Sequence, residues 1–331
     1  MRQAGELNLA FIGSSHWHVP LYLEGVEREK LHVCAVSDPD EDKAGWAGRR
    51  LGCRAYVDYK ELLDRERPDF VFAFAPHYRM PSLALELIRR KIPFAIEKPL
   101  GLNAGDVARV LEEAERNGVF CAIPFVWRHS PFIRNFREKV KADDILHLSF
   151  RFIAGPPSRY EETSPWMLQK KMAGGGCMTN LGVHFIDMAL YLTGSDTGEV
   201  LGSGCHYDPK YDIEIYASSL CRLSSGATLA LETGYAFPMD GEKRDNRWNI
   251  VTKNGYYTLG DGCFEERVYG EKTERTVMST DSDIYYGTFV INTLKEYLAG
   301  EEPAAGLKQM YNARKLLDAM NSALAGGELT R

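Results

Sequence analysis

Residues 7–18 read LNLAFIGSSHWH, a short apolar run that ends at Gly13 and is followed by small and polar side chains. Short apolar runs bounded by turn residues are typical of strands that are covered on both faces of a sheet. More runs of this kind follow, at residues 32–37, 69–75, 93–97 and 120–124. The chain therefore opens with a series of buried strands.

Helical stretches separate these strands. Residues 81–90 and 104–117 are amphipathic, and Asn103 stands before the second stretch as an N-cap. Strands that alternate with helices pair in parallel through right-handed crossovers. Residues 1–125 are thus predicted to form an α/β domain with a doubly wound parallel sheet.

A different pattern begins at residue 126. Strand-like runs now occupy residues 145–154, 213–223, 228–234, 248–252 and 256–259. Two of the gaps between them read Ser224-Ser225-Gly226 and Lys253-Asn254-Gly255, and Asn-Gly is a strong hairpin signal. Helices are predicted over residues 131–141, 179–192, 283–299 and 306–325. Residues 126–331 therefore form a predicted α+β domain with a mainly antiparallel sheet, and residues 306–325 are a candidate to pack against the first domain.

Composition narrows the class of protein. A chain of 331 residues suits two domains, and 40 basic against 46 acidic residues give a net charge of -6, which disfavours a nucleic-acid partner. No run is long and apolar enough for a membrane span or a signal peptide, so a cytoplasmic protein without membrane contact is expected. The seven cysteines include no Cys-x-x-Cys pair, which argues against a structural zinc site.

The turn after the first strand is a candidate phosphate site. Dinucleotide-binding folds place Gly-x-Gly-x-x-Gly at this point, where backbone N–H groups at a helix N-terminus hold a pyrophosphate. Here only the first glycine is kept, and His18 replaces the last. The cofactor-contacting residues of the predicted turn are Gly13, Ser14, Ser15, His16 and Trp17. An ordinary strand-to-helix turn is the alternative.

The pair His16-x-His18 permits a second interpretation. Two histidines after a first strand occur as metal ligands in (β/α)₈ barrel hydrolases. The alternation of strands and helices stops near residue 125, however, and such a barrel needs eight units. We therefore predict no metal site, with metal ligation by these two histidines as the less favoured alternative.

Asp38 ends the second strand, 25 residues after Gly13. An acidic residue near this spacing accepts hydrogen bonds from the ribose of an adenosine and repels a 2′-phosphate. Asp38 therefore favours NAD over NADP, and Arg49 or Arg50 folding back to change this preference is one alternative. Another alternative is that Asp38-Pro39 only begins a turn.

Lys98 follows the apolar run at 93–97. Ligands of open α/β sheets bind beyond the carboxyl ends of the strands, so the ammonium group of Lys98 is a candidate partner for a substrate oxygen. An exposed, solvated lysine is the alternative.

A polar stripe lies on the helix predicted over residues 179–192. Asn180, His184 and Asp187 are four and three residues apart, a spacing that puts them on one helix face, and Gly174-Gly175-Gly176 precedes them. Among apolar neighbours, such a stripe points inward or into a cleft. A buried histidine that is satisfied by local hydrogen bonds is the alternative.

Five motifs stand in order along the chain: the Asp38 turn, Glu97-Lys98-Pro99, Trp127-Arg128-His129-Ser130-Pro131, Trp166 ahead of Gly174-Gly175-Gly176, and Asn180-x-Gly-x-His184-x-x-Asp187. Together they resemble the glucose-fructose oxidoreductase, inositol dehydrogenase and MocA (Gfo/Idh/MocA) family over nearly the whole chain. The resemblance implies an N-terminal Rossmann domain and a C-terminal α+β domain with a large open sheet. It also implies a homodimer or homotetramer formed through that sheet, and a nicotinamide cofactor between the domains.

The resemblance also implies residue roles. Lys98 and His184 would be catalytic, supported by Asn180 and Asp187. Further cofactor contacts would come from Asp38, Ala75, Pro76, His77, Glu97 and Lys98. Many family members carry aspartate where this chain has Asn180, and the usual histidine after the fourth strand is Met80 here, with His77 close by in sequence.

The implied reaction is hydride transfer between the cofactor and a hydroxyl or carbonyl of a sugar, cyclitol or sugar acid. Candidate substrate-binding residues are Arg128, Trp166, Lys170 and Tyr235. Further cations that could meet a carboxylate or phosphate are His129, Arg159, Lys171, Arg244 and Arg247. Two alternatives remain: a nicotinamide-binding regulator without catalysis, and a family member that uses the cofactor transiently to cleave a glycosidic bond.

Overall fold

Parallel strands form the first sheet, as the alternation of strands and helices predicts. The protein is described by a computed structural model over residues 3–238 and 244–326. The strands of this sheet are β1 (Leu9–Ile12), β2 (Val33–Ser37), β3 (Arg54–Tyr56), β4 (Phe70–Ala73), β5 (Phe94–Ile96) and β6 (Cys121–Ala122). Their order is β3-β2-β1-β4-β5-β6, so β1 pairs in parallel with β2 and with β4. The order changes direction between β1 and β4, and open α/β sheets bind ligands at such a point.

Helices connect these strands. They are α1 (Val19–Arg28), α2 (Glu41–Leu51), α3 (Tyr59–Glu66), α4 (Met80–Arg89) and α5 (Ala104–Asn117). The N-cap predicted at Asn103 is confirmed, because its side chain accepts a hydrogen bond of 3.0 Å from the backbone N–H of Asp106. Each of these helices crosses from one parallel strand to another, and the doubly wound α/β class is confirmed.

A later segment completes the first core. The chain divides into two compact units, one of Met1–His129 with Asp283–Met310 and one of Ser130–Ser282 with Tyr311–Arg331. The first unit therefore includes α9 (Tyr286–Ala299), which the sequence prediction places in the second domain. The physical reason is apolar burial, since side chains of α9 join the core of the parallel sheet. They are Tyr286, Phe289, Val290 and Leu294.

The second sheet is mainly antiparallel, as predicted. Its strands are β7 (Ile145–Ala154), β8 (Gly198–Tyr207), β9 (Glu214–Leu223), β10 (Thr228–Gly234), β11 (Arg244–Thr252), β12 (Gly255–Gly260), β13 (Cys263–Val268) and β14 (Glu274–Val277). Their order is β14-β13-β12-β11-β7-β10-β9-β8, and β7 with β10 is the parallel pair among the described residues. Both predicted hairpins are present, because β9 pairs antiparallel with β10 and β11 with β12.

The helices of the second unit are α6 (Pro131–Lys139), α7 (Lys170–Ala173), α8 (Val183–Thr193) and most of α10 (Leu307–Gly326). The prediction offers residues 306–325 as a helix that packs on the first domain. In the structure, α10 belongs to the second unit from Tyr311 onward. There the side-chain amide of Asn321 donates a hydrogen bond of 3.0 Å to Oγ1 of Thr179. In the part of the chain that the structure describes, no helix is both long and apolar enough to cross a bilayer.

Close backbone contact between α1 and α9 generates the first prediction. A Cβ atom added at Gly25 would lie 2.7 Å from the carbonyl oxygen of Gly287, which cannot rotate away. We expect Gly25→Ala to lower the free energy of unfolding by about 1–3 kcal/mol, although alanine is the better helix former. Gly45→Ala in α2 is the matched control, since its nearest neighbour is the flexible end of Arg49. Denaturant unfolding measures both, and equal stability of the two variants would contradict the packing argument.

Candidate functional site

The turn after β1 requires glycine at its first position. Gly13 has a φ of 80°, and a Cβ there would lie 2.1 Å from the carbonyl oxygen of Phe74. The N–H groups of Gly13 and Ser14 both donate to the carbonyl oxygen of Ser37, at 2.8 and 3.1 Å. The turn therefore lies directly against the ends of β4 and β2, which explains why position 13 requires glycine.

Asp38 lies beside the same turn and is 3% exposed. Its Oδ2 accepts a hydrogen bond of 2.7 Å from the N–H of Ser15, and its Oδ1 accepts one of 3.0 Å from Asp40. The carboxylate thus fixes the shape of the turn. Its predicted contact with a ribose stays a prediction.

Two buried hydroxyls at these strand ends have no hydrogen-bond partner among the described residues. They are Oγ of Ser14 and Oγ of Ser37. A buried hydroxyl without a hydrogen-bond partner destabilises the folded protein, and such groups in native proteins commonly bind a ligand or a water molecule. Together with the glycine that the turn requires, these hydroxyls fit a polar cofactor bound at the end of β1.

Glu97 is the centre of a buried polar network in the first unit and is 1% exposed. Its Oε1 accepts a hydrogen bond from the hydroxyl of Tyr22 at 2.9 Å and lies 2.9 Å from Nδ1 of His18. The Tyr286 hydroxyl lies 3.1 Å from Nε2 of His18. Burial, and then the charge of Glu97, raise the pKa of Tyr22 well above 10.

The two histidines of the turn differ in their surroundings. His18 contacts Glu97, whereas the ring of His16 lies 5.8 Å from that of Trp17 and 5.4 Å from that of Phe74. Burial lowers the pKa of His16 to about 3, so its imidazole is neutral at physiological pH. Among the residues that the structure describes, no group of three or more His, Cys, Asp or Glu side chains is arranged to hold a metal ion.

Lys98 follows β5 and is 4% exposed, unlike the solvated lysine of the alternative interpretation. Burial lowers its pKa to about 8, and the charges of Glu97 and Asp283 oppose this shift. A lysine with this pKa is mostly an ammonium group at neutral pH and loses its proton as the pH rises through about 8. A perturbed lysine beyond the end of a parallel strand is a candidate for chemistry.

The other residues predicted at this edge lie after β4. Ala75 and Pro76 are half-buried, and His77 is 2% exposed at the start of a short 3₁₀ turn. Met80, which stands where many family members have histidine, is fully buried in α4. These residues thus border the end of β4, beside β1 and β5 in the sheet.

In the second unit, the predicted helix over residues 179–192 is present but begins with an irregular turn. Met178–Gly182 is a π-helical turn, and α8 continues from it. Asn180 and Asp187 are 3% and 2% exposed, and His184 is half-buried. Sequence spacing misses the π turn, a rare feature that is frequent at functional sites.

Two of the three glycines before this helix are required by close contacts. A Cβ at Gly175 would lie 2.2 Å from Oγ1 of Thr179, and one at Gly176 would lie 2.1 Å from the carbonyl oxygen of Glu214. The carboxylate of Glu214 accepts hydrogen bonds from the N–H groups of Gly176 and Met178, at 2.8 and 3.0 Å. The sequence does not reveal this role of Glu214, because nothing in strand β9 marks it as the partner of a distant turn.

Asn180 contacts two tyrosines. Its Nδ2 donates to the hydroxyl oxygens of Tyr160 and Tyr235, at 3.2 and 2.9 Å. Tyr235 is 2% exposed, and burial raises its pKa well above 10. The structure therefore brings together Asn180 and Tyr235, which the sequence singles out separately.

The remaining candidate substrate residues have different surroundings. Arg128 is 8% exposed, and its Nη1 donates a hydrogen bond of 2.9 Å to the carbonyl oxygen of Ala304. Trp166 is half-buried. Lys170 is exposed, and its backbone N–H donates to Asp212 at 2.8 Å. Arg128 thus contributes to structure in the first unit, while the ammonium group of Lys170 lies at the surface.

Comparison with protein families gives two adjoining matches. Residues 7–125 match a model described as an oxidoreductase family with an NAD-binding Rossmann fold, and residues 133–258 match the GFO/IDH/MocA C-terminal domain. The chain belongs to the Gfo/Idh/MocA family. The resemblance identified from the sequence motifs is confirmed.

Curated relatives of this Gfo/Idh/MocA chain include dehydrogenases. It is 30% identical over 179 residues to a myo-inositol 2-dehydrogenase of Thermotoga maritima, and the match covers 51% of this chain and 50% of that protein. It is 23% identical over 224 residues to the rhizopine catabolism protein MocA of Rhizobium meliloti, with 64% and 66% covered. The chain thus spans about half to two thirds of the length of these relatives.

Solved structures of similar fold cover nearly the whole chain. An oxidoreductase from Agrobacterium radiobacter, solved with NAD+, L-tartaric acid and magnesium, has a TM-score of 0.86 at 17% identity, with 98% of this chain and 97% of that one covered. A levoglucosan dehydrogenase with NADH and levoglucosan has a TM-score of 0.86 at 14% identity, with 97% and 98% covered. At these identities the likeness establishes the fold.

The contact of Glu214 with the glycine turn leads to the second prediction. We expect Glu214→Ala to lower the melting temperature clearly, because it leaves the buried N–H groups of Gly176 and Met178 without an acceptor, at a cost of about 1–3 kcal/mol each. Glu199→Ala on β8 is the control, since its side chain is 71% exposed. Thermal unfolding of both variants tests the contact. A melting temperature of Glu214→Ala equal to that of the control would show that the carboxylate does not support the turn.

Proposed function

We propose that this chain is an NAD-dependent oxidoreductase that transfers a hydride between the cofactor and a hydroxyl or carbonyl of a sugar, cyclitol or sugar acid. The observation that carries the proposal is Lys98, a lysine 4% exposed beyond the end of β5 with a pKa lowered to about 8. Family membership and the names of its relatives support the same class of reaction.

The cofactor contacts in this proposal lie in the first unit. They are Gly13, Ser14, Ser15, His16, Trp17, Asp38, Ala75, Pro76, His77, Glu97 and Lys98. NAD is proposed over NADP because the buried carboxylate of Asp38 would repel a 2′-phosphate. When bound, the nicotinamide ring supplies the hydride acceptor or donor.

Lys98 and His184 have different proposed roles at the reacting oxygen. Nζ of Lys98, as an ammonium group, donates a hydrogen bond to that oxygen and stabilises the negative charge that develops on it during oxidation. His184 takes the hydroxyl proton on a ring nitrogen, because histidine ordinarily titrates near pH 6.5. Asn180 and Asp187 act as supporting residues, and the amide of Asn180 orients its neighbours without adding a charge.

The substrate in this proposal carries several hydroxyl groups. Trp166 and Tyr235 are the proposed contacts of the sugar ring, and Arg128 and Lys170 are proposed as hydrogen-bond donors to its hydroxyl groups. We further propose a homodimer or homotetramer that forms through the eight-stranded sheet. Exposed leucines on β7, β8 and β9 support this interface, namely Leu146, Leu201 and Leu220, which are 48%, 42% and 43% exposed.

Substitution of the two catalytic residues is the third prediction. We expect Lys98→Ala and His184→Ala each to lower turnover by about 10²-fold or more, because the first removes the cation that stabilises charge on the reacting oxygen and the second removes the base. NAD affinity should fall far less than turnover, because Lys98 is one of many proposed cofactor contacts and His184 is not among them. Fluorescence titration measures this affinity. Lys60→Ala, at an exposed position in α3, is the control for loss of a lysine.

Steady-state NADH formation on a panel of sugars, cyclitols and sugar acids provides the assay. Near-normal turnover of both variants on a true substrate would remove Lys98 and His184 from the mechanism. Tight NAD binding without NADH formation on any substrate would favour a regulator, and product release without net NADH would favour transient use of the cofactor in glycoside cleavage.

The pKa of Lys98 gives the fourth prediction. The ammonium form predominates below pH 8 and is lost as the pH rises through about 8, so oxidation should slow above that pH. Lys98→Arg keeps a cation at all accessible pH values and should lack this decline, at a lower absolute rate. The profile of kcat/KM between pH 6 and 10 measures the effect. The same decline in Lys98→Arg would assign it to another group.

A further inference from the structure

Three of the arginines that the sequence singles out as possible substrate contacts are already engaged within the protein. In the second unit, Nη2 of Arg247 lies 2.8 Å from Asp261, and Nη1 of Arg244 lies 3.5 Å from Asp281. In the first unit, Arg128 donates to a backbone carbonyl. An engaged guanidinium is a poor receptor for a further anion, because the new contact must replace an existing one.

Arg159 differs from these arginines. It is half-buried and has no carboxylate within ion-pair distance among the residues that the structure describes. Its Nη2 donates a hydrogen bond of 2.5 Å to the hydroxyl oxygen of Tyr160, while Nε is buried and has no hydrogen-bond partner. A guanidinium group has five N–H bonds. Removing a cation partly from water without an anionic partner is costly, and a bound anion would offset that cost.

The guanidinium of Arg159 is held in place by aromatic rings. Its Cζ lies 4.6 Å from the ring centroid of Tyr160 and 5.6 Å from that of Tyr235. These contacts are cation–π interactions, which orient the planar group. A guanidinium oriented in this way loses less conformational entropy when it binds a ligand.

The same tyrosines connect Arg159 to the candidate active-site helix. The hydroxyl oxygens of Tyr160 and Tyr235 accept hydrogen bonds from Nδ2 of Asn180, in the π-helical turn that leads into α8. Asn180 stands where many family members have aspartate, so this cluster lacks the negative charge that would neutralise the arginine. Arg159, the two tyrosines and Asn180 therefore form one cluster of net positive charge.

We infer that Arg159 binds a carboxylate group of the substrate, so that the substrate is a sugar acid or a related polyhydroxy acid. This inference rests on the proposed function and narrows its substrate class. The planar fork of a guanidinium matches the two oxygens of a carboxylate. A phosphate dianion would leave one charge unbalanced at a single arginine.

Matched substrate pairs test the inference. Each pair differs by one carboxylate in place of one hydroxymethyl group: D-glucuronate with D-glucose, D-gluconate with D-glucitol, and L-threonate with L-threitol. In the wild type, the acid of at least one pair should have a kcat/KM about 10-fold or more above that of its neutral partner. Arg159→Gln should abolish this preference mainly through a higher KM for the acid, so that the acid and its neutral partner are then used with similar kcat/KM. Arg159→Lys should keep part of the preference.

Arg137→Gln is the matched control. Arg137 also lies over a tyrosine ring, 4.1 Å from the centroid of Tyr191, but it is exposed and belongs to α6. Its loss should leave the preference for acids unchanged. An equal loss of preference in both variants would make the effect a general result of removing an arginine–tyrosine contact and would overturn the inference.

Other outcomes separate this inference from the proposed function. One such outcome is that neutral sugars give NADH and that the wild type and Arg159→Gln rank the substrates in the same order. This result would overturn the inference and keep the proposed function. A preference for D-glucose 6-phosphate that Arg159→Gln abolishes would assign Arg159 to phosphate and also overturn it.

Failure to form NADH with any compound would reject the proposed function. Binding of the acids to the wild type and to Arg159→Gln would then test whether Arg159 is a carboxylate site. Thermal unfolding in the presence of NAD and each acid or neutral compound provides that measurement. A rise in melting temperature with an acid in the wild type, absent in Arg159→Gln, supports the carboxylate site. No rise with any acid overturns it.

Discussion

The interaction on which the first unit depends is a carboxylate enclosed in its interior. Glu97 is 1% exposed and would be unstable there as an isolated charge, but Tyr22 and His18 both contact its Oε1. Its other oxygen accepts a hydrogen bond of 3.2 Å from the backbone N–H of Lys98. The negative charge of Glu97 opposes the lowering of the pKa of Lys98 by burial. The environment of Lys98 therefore depends on the enclosure of Glu97.

Local signals in the sequence predict much of this structure. Alternation of apolar runs indicates the parallel sheet, the side chain of Asn103 indicates where α5 begins, and Asn254-Gly255 indicates a hairpin, because each depends on residues close together in the chain. The features that the sequence does not reveal depend on distant partners. Glu214 completes the glycine turn from 38 residues away, and α9 returns to the first sheet only because its apolar face matches α1.

The candidate site follows the same division. Lys98, Asn180 and His184 are marked by motifs, and Tyr235 by residue type. The sequence does not predict the electrostatic environment of these residues, because the burial of Lys98 and the two tyrosine contacts of Asn180 arise from tertiary packing. Strand β8 also escapes prediction, because its sequence GEVLGSGCHY contains three glycines and no regular apolar alternation.

The return of α9 to the first unit also bears on synthesis of the chain. A ribosome that has made residues 1–129 has produced every strand of the parallel sheet, but none of the side chains that α9 adds to its core. His18 at that stage lacks the hydroxyl of Tyr286. Part of the apolar core of the first unit therefore stays exposed until the whole second sheet has been synthesised. During that interval the exposed surface can bind chaperones or aggregate.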